Sequence, residues 1–278
     1  MISKIKIIYS SLMNRKQNYF NRFNMHIIRT KIRRKEVSNV LKGRNLILIP
    51  HADDEWVGCS QIIEKNRNNT ILCNMNRQGN DSFELHEKRY NELRKLANRF
   101  NITILNNKSN IEYASFLVSV IEENHIENIF LPFFVDWHED HISVMIILYE
   151  ALNKLRNKNL SIYMYQVSVP ISEEFITHFS EMNKIEHNSK WQFFGDVYKT
   201  QKFFPIDRFK CNERINGKIC GVYAAEVYSQ MNITEWMFYF NKLIPNKQMR
   251  MNIIKNFRDI KKIRVFLESY YSEVSNYK

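Results

Sequence analysis

From residue 45 onward, short apolar runs alternate with amphipathic or charged stretches of helical length, and that rhythm admits few architectures. Asn45-Leu-Ile-Leu-Ile-Pro50 has an uninterrupted apolar centre, as a parallel strand buried on both faces requires. Residues 55–66 then suit a helix, 70–75 a strand, 84–100 a charged amphipathic helix and 102–105 a third strand. Residues 111–124 read as a helix, 128–132 as a strand, 141–155 as a helix and 160–165 as a fifth strand. Such alternation predicts an α/β layered fold with a mostly parallel sheet. Residues 214–230 read as helical, and the aromatic-rich end, 234–278, is expected to pack back on the domain.

Open parallel sheets bind ligands beyond the carboxyl ends of their strands. Two polar clusters lie at such ends here. One is His51-Ala-Asp-Asp-Glu55, directly after the first strand; the other is Asp136-Trp-His-Glu-Asp-His141, shortly after the fourth. Imidazoles and carboxylates together make a normal zinc ligand set, and catalytic zinc keeps three protein ligands and one open position. His51, Asp54 and His141 would supply the three ligands, leaving Asp53 to act as a base on a metal-bound water. His138 could face the same cavity and, as imidazolium, assist an oxyanion or a leaving amine. Asp140 or Asp136 could hold that imidazole in its working orientation. The competing reading is plain: Asp53 and Asp54 are also what a helix N-terminus uses for capping.

The stretch Leu46-Ile-Leu-Ile-Pro-His-Ala-Asp-Asp-Glu-Trp-Val-Gly-Cys59 resembles the strand and (A/P)-H-P-D-D-E-x-x-G-C signature of the PIG-L/LmbE family, which are zinc-dependent de-N-acetylases. His138-Glu-Asp-His141 resembles the second motif of that family, H-P-D-H. Weaker matches are Arg77-Gln-Gly79 to a T-x-G turn, and Arg89-Tyr-Asn-Glu92 with Phe100-Asn-Ile102 to an R-x-x-E helix and its Leu-Gly-hydrophobic end. Lys218 and Tyr228-Ser-Gln230 resemble a K…(H/Y)-x-S-Q element. The likeness spans about residues 45–230. It implies an α/β, Rossmann-like three-layer sandwich and metal ligands His51, Asp54 and His141. It also implies Asp53 as general base, His138 with Asp140 in the catalytic group, and Arg89 as a substrate contact. Ala52 stands in place of the usual Pro, Ser60-Gln61 in place of Gly-Gly, Glu139 in place of Pro, and Asn101 in place of a Gly whose φ can be positive, which Asn tolerates. None of these changes removes a ligand or the base.

Charge divides the chain. Residues 1–45 hold twelve Lys/Arg against one acid, Glu36, so this segment carries +11 of the net +12 and the rest carries only +1. The expected organisation is therefore a basic arm, 1–44, followed by a single deacetylase-like domain, 45–278, with its core at about 45–230 and a C-terminal extension, 231–278. Charge collected on an arm argues against a nucleic-acid-binding face, but suits peripheral contact of residues 1–40 with anionic membrane. Four Cys without a C-x-x-C pair, no apolar run of about 18 residues and no signal-peptide pattern point to a cytoplasmic protein, with the inner membrane surface as a peripheral location. The partner expected from the resemblance is a small-molecule or lipid-linked N-acetylated sugar of the GlcNAc type. Two His and one carboxylate also suit ferrous iron, so Zn2+ is expected and Fe2+ is admitted. The rival readings are hydrolysis of another amide or ester on the same fold, or a non-enzymatic basic binding protein. A dinucleotide enzyme is disfavoured because no G-x-G-x-x-G follows the first strand.

Overall fold

The computed structural model describes residues 34–37, 41–75, 82–107, 112–156 and 159–275. Most of the basic arm and the Arg77-Gln-Gly79 match lie outside those residues. Eight strands form one sheet in the order β1-β7-β8-β6-β5-β2-β3-β4. They are β1 (Lys35–Glu36), β2 (Arg44–Ile49), β3 (Thr70–Asn74), β4 (Thr103–Asn106), β5 (Ile126–Pro132), β6 (Ser161–Tyr165), β7 (His178–Met182) and β8 (Ala224–Asn232). β2 pairs in parallel with both β3 and β5, and β5 with β6, while β8 runs antiparallel to both β6 and β7. The end of the segment read as an arm enters the sheet: β1 pairs with β7, and Arg34 is buried 3.2 Å from Glu173.

Alternate residues of β2 feed two cores, as the period-2 geometry of a strand requires. Leu46 and Leu48 join one apolar cluster and Ile47 and Ile49 the other. On the second face lie α1 (Asp54–Lys65), α2 (Phe83–Phe100) and α5 (Lys184–Val197). On the first lie α3 (Tyr113–Glu123), α4 (Glu139–Lys154) and the C-terminal helices α7 (Ile233–Leu243), α8 (Lys247–Asn256) and α9 (Ile260–Ser275). This is the expected three-layer sandwich. The C-terminal end packs back as expected, burying Trp236, Leu243, Ile253, Ile263 and Leu267. Among the described residues no helix is long and apolar enough to cross a membrane.

One expectation fails. Residues 214–230 are not a single helix: α6 (Ile206–Cys220) stops at Gly221, whose φ of 81° is the left-handed cap that glycine supplies most readily. Ala224 to Asn232 then form β8, which is buried over most of its length and pairs on both edges. A doubly buried strand has no polar alternation to separate it from a helix.

After β2 the chain runs outward through β3 to β4, then returns to place β5 on the other side of β2. The two loops that follow β2 and β5 are therefore neighbours at the point where strand order reverses, the position where such sheets bind ligands.

Candidate metal centre and cleft

Helix α1 is seated unusually close to the sheet. A Cβ on Gly58 would lie 2.2 Å from a ring carbon of Tyr165, whose hydroxyl donates to the Leu48 carbonyl at 2.9 Å. Overpacking of this kind costs about 1–3 kcal/mol, so the motif glycine has a steric reason. That approach fixes the start of α1 above the end of β2. Asp53 occupies the N-cap position with φ 148° but makes no side-chain capping bond. Positive φ on a non-glycine residue stores about 1–3 kcal/mol and is sustained only by its surroundings. Here the Asp53 N–H donates to Glu55 Oε2 at 3.0 Å, and Tyr198 hydrogen-bonds the other oxygen of the same carboxylate. Burial pushes Glu55 up to about 7. The capping explanation of the Asp53-Asp54 pair therefore fails: the Asp53 carboxylate lines the cleft, and Asp54 turns back to the histidines.

Asp54 Oδ2 lies 3.2 Å from His51 Nδ1 and 3.2 Å from His141 Nε2. Ligand atoms about 2.0–2.1 Å from a tetrahedral ion are about 3.3 Å from one another, so these separations match two edges of a tetrahedral metal site. The far nitrogen of each ring rests on a carboxylate of the second loop. His51 Nε2 is 2.9 Å from Asp140 Oδ2, and His141 Nδ1 is 2.8 Å from Asp136 Oδ2. Carboxylates in that position fix the ring and its tautomer for a metal. The donor set thus fits a divalent cation on its own chemistry. Burial disfavours charge on Asp54, yet the adjacent His141 and His51 hold it well below the usual carboxylate range. Against the same burial, Asp136 and Asp54 hold His141 well above the usual imidazole range.

His138 completes a group of three histidines whose ligand nitrogens lie within 4.8 Å of one another. Its expected orienting partners are not where the sequence placed them. Asp136 accepts only the His138 backbone N–H, at 2.9 Å, and Asp140 Oδ2 is 3.8 Å from Nδ1; the two carboxylates serve His141 and His51 instead. Burial, then the His141 and His51 charges, push His138 down to about 4. Both effects disfavour the imidazolium form expected from sequence. The His138 Nδ1 accepts the Asp140 N–H at 3.4 Å, which leaves the ring proton on Nε2. Burial and the Asp54 and Glu55 charges raise Asp53 well above the usual carboxylate value, the direction a general base needs.

The cleft has a volume of about 260 Å³. Arg89, on α2, lines it, and Glu92 three residues on accepts from the Thr200 N–H and hydroxyl. At Asn101 the helix ends with φ 56°, the left-handed conformation its place in the motif anticipated. Lys218 is exposed on α6 and Tyr228 to Gln230 lie in β8, outside the cleft lining. Sequence reasoning gave no role to five further lining residues, Trp137, Phe204, Arg208, Phe209 and Phe257. Of these, only Phe257 lies in the aromatic-rich C-terminal end.

No protein-family model matches the chain, and no curated protein matches it. Among solved structures, a conserved protein from Thermus thermophilus superposes with a TM-score of 0.53 at 16% identity, over 67% of this chain and 94% of that one. The two share a fold. Two further similar structures are a deacetylase of the teicoplanin biosynthetic pathway (TM-score 0.49, 13% identity, 68% and 98% covered) and the N,N'-diacetylchitobiose deacetylase of Pyrococcus horikoshii (0.49, 16%, 74% and 88%).

Proposed function

We propose that the chain is a metal-dependent hydrolase that removes the N-acetyl group from a GlcNAc-type sugar or sugar conjugate. The observation that carries this is the triangle of His51, Asp54 and His141 at the strand-order reversal, with Asp53 beside it in an open cleft. The likeness of both loops to the PIG-L/LmbE motifs supports the same assignment. His51, Asp54 and His141 would hold zinc, and ferrous iron would suit the same donors. Bound there, the ion would polarise the acetyl oxygen and lower the pKa of water to about 7.

The chain supplies the rest. Asp53 takes a proton from water as its oxygen adds to the acetyl carbon, and passes that proton to the nitrogen as the C–N bond breaks, releasing acetate and the free amine. His138, neutral with its proton on Nε2, donates to the developing oxyanion. Asp140 and Asp136 hold His51 and His141 against drift. Arg89 lies near enough to favour the charged form of Asp53 and reaches the substrate from α2.

The test is elemental analysis of the purified full chain together with acetate release from a panel of N-acetylated sugars, acylated amino compounds and simple esters. About one equivalent of metal and selective turnover of the sugars is expected. A metal-free protein that stays inactive when zinc or ferrous iron is added defeats the proposal.

A further inference from the structure

The aromatic lining of the cleft beside the histidines comes from segments far apart in sequence. Trp137 precedes His138 in the second loop, their rings 5.1 Å apart. Phe257 follows α8 in the C-terminal extension, and its ring centroid is 5.9 Å from that of Trp137. Both rings are half-buried, so each keeps a surface open to the cleft. Phe257 is held in place, not left at a free rim. Its N–H donates to the Ile253 carbonyl at 2.8 Å, and Met249, Ile253 and Ile260 around it are core residues. The buried Arg208 donates from Nε to the Phe257 carbonyl and from Nη2 to the Ser168 carbonyl, each at 2.9 Å, and its guanidinium lies 5.2 Å from the Phe257 ring centroid. One cation thus ties the extension to the loop after β6 at the edge of the cleft.

Aromatic rings present a negative face. A pyranose ring presents axial C–H groups, weakly positive and poorly hydrated, on one face and hydroxyls around its edge. At about 260 Å³ the cleft falls just under the roughly 300–1,000 Å³ of pockets for drug-sized ligands, the scale of one monosaccharide ring. We propose that Trp137 and Phe257 form a stacking wall for a single pyranose ring, with Phe257 as a specificity-determining residue and Arg208 as its positioning residue. The wall would select a sugar amide over a small acyl compound of equal reactivity. This rests on the deacetylase reading for the identity of the ring, and the experiment separates the two.

Wild type, Phe257→Ala and Phe257→Trp are compared in zinc-loaded full chain for hydrolysis of N-acetylglucosamine and of methyl acetate, an ester with no ring to stack. In parallel, binding of N-acetylglucosamine to metal-free protein is followed by saturation-transfer NMR. Phe257→Ala should raise KM for the sugar at least tenfold with kcat within threefold, leave the ester rate within twofold and weaken sugar binding; Phe257→Trp should restore both. Phe257→Leu serves if the alanine variant melts early. Arg208→Lys should raise KM for the sugar while leaving the ester rate unchanged. Binding that depends on Phe257 without turnover would support the wall while removing the deacetylase reading. Turnover indifferent to Phe257 overturns the wall and leaves the activity standing, and a wild type that neither binds nor cleaves the sugar overturns the wall as well.

Discussion

The N-terminus of α1 carries one cluster of ionisable side chains, and the middle of the same helix packs against another. In the second cluster, the buried Lys190 donates to Glu213 at 2.5 Å, to Glu226 at 2.6 Å and to the Val57 carbonyl at 2.7 Å. Glu226 also accepts the N–H groups of Ser60 and Gln61, where α1 departs from helical geometry at Cys59. His187 and the Trp191 indole close on Glu213. Burial works against charge on Lys190, but Glu213 and Glu226 more than offset it and hold its pKa above the usual value. Each ammonium hydrogen has an acceptor, and nothing in this cluster opens on a cleft. The first cluster differs in kind. Its carboxylates meet histidines around a common point, and one side of it faces a cavity. Titratable groups gathered against one helix can thus form a buried strut or the centre proposed above. What distinguishes the two clusters is whether one side faces a cavity.

The largest expected effect falls on the open cluster. Asp53→Ala should keep metal content and fold while turnover of an N-acetylated sugar falls by roughly 10²–10⁴, the worth of a positioned general base. Elemental analysis and steady-state kinetics on the same preparation check it. Turnover within a factor of ten of wild type would strip Asp53 of that role.

The closed cluster should answer with stability. Lys190→Met leaves two buried glutamates facing each other without their cation, and breaking a buried pair in this way costs about 3–5 kcal/mol. A denaturant midpoint should register that loss. Below the midpoint, metal stoichiometry should stay at the wild-type value, because no proposed ligand touches Lys190. A stable variant that had lost its metal would erase the distinction between strut and centre.

The open cluster was legible in the sequence because its residues are local to two loops. His51 to Glu55 and Asp136 to His141 each follow a short apolar run of strand length, and the sheet order did the rest. Strands β2, β3, β5 and β6 fall within two residues of their expected starts and ends. The closed cluster was not legible. Lys190, Glu213 and Glu226 come from α5, α6 and β8, and no short-range pattern joins three charged residues that meet only after folding. The same holds for Arg208 and Phe257 across the cleft. β8 was mistaken for helix because its buried faces hide the alternation; Gly221, a glycine at the end of a periodic stretch, was the signal that could have divided the segment. The pairing of Asp136 with His141 and of Asp140 with His51 needed geometry too, since spacing alone offered either carboxylate to His138.

The smallest effect probes how the open cluster is braced. Asp136→Asn keeps size and hydrogen bonding but removes the charge that steadies His141 Nδ1 from 2.8 Å. Losing such a support lowers metal affinity by about 10–100-fold. Asp140→Asn should act similarly through His51, whose Nε2 is 2.9 Å from that carboxylate. Competition with a metal indicator would measure both. The two histidines belong to different loops, so the supports act on separate ligands of one ion. If each merely steadies its own ring, the double variant should lose close to the product of the two single losses. A double variant no weaker than either single one would mean that the carboxylates act as one shared charge on the centre, and the picture of two independently braced ligands would give way.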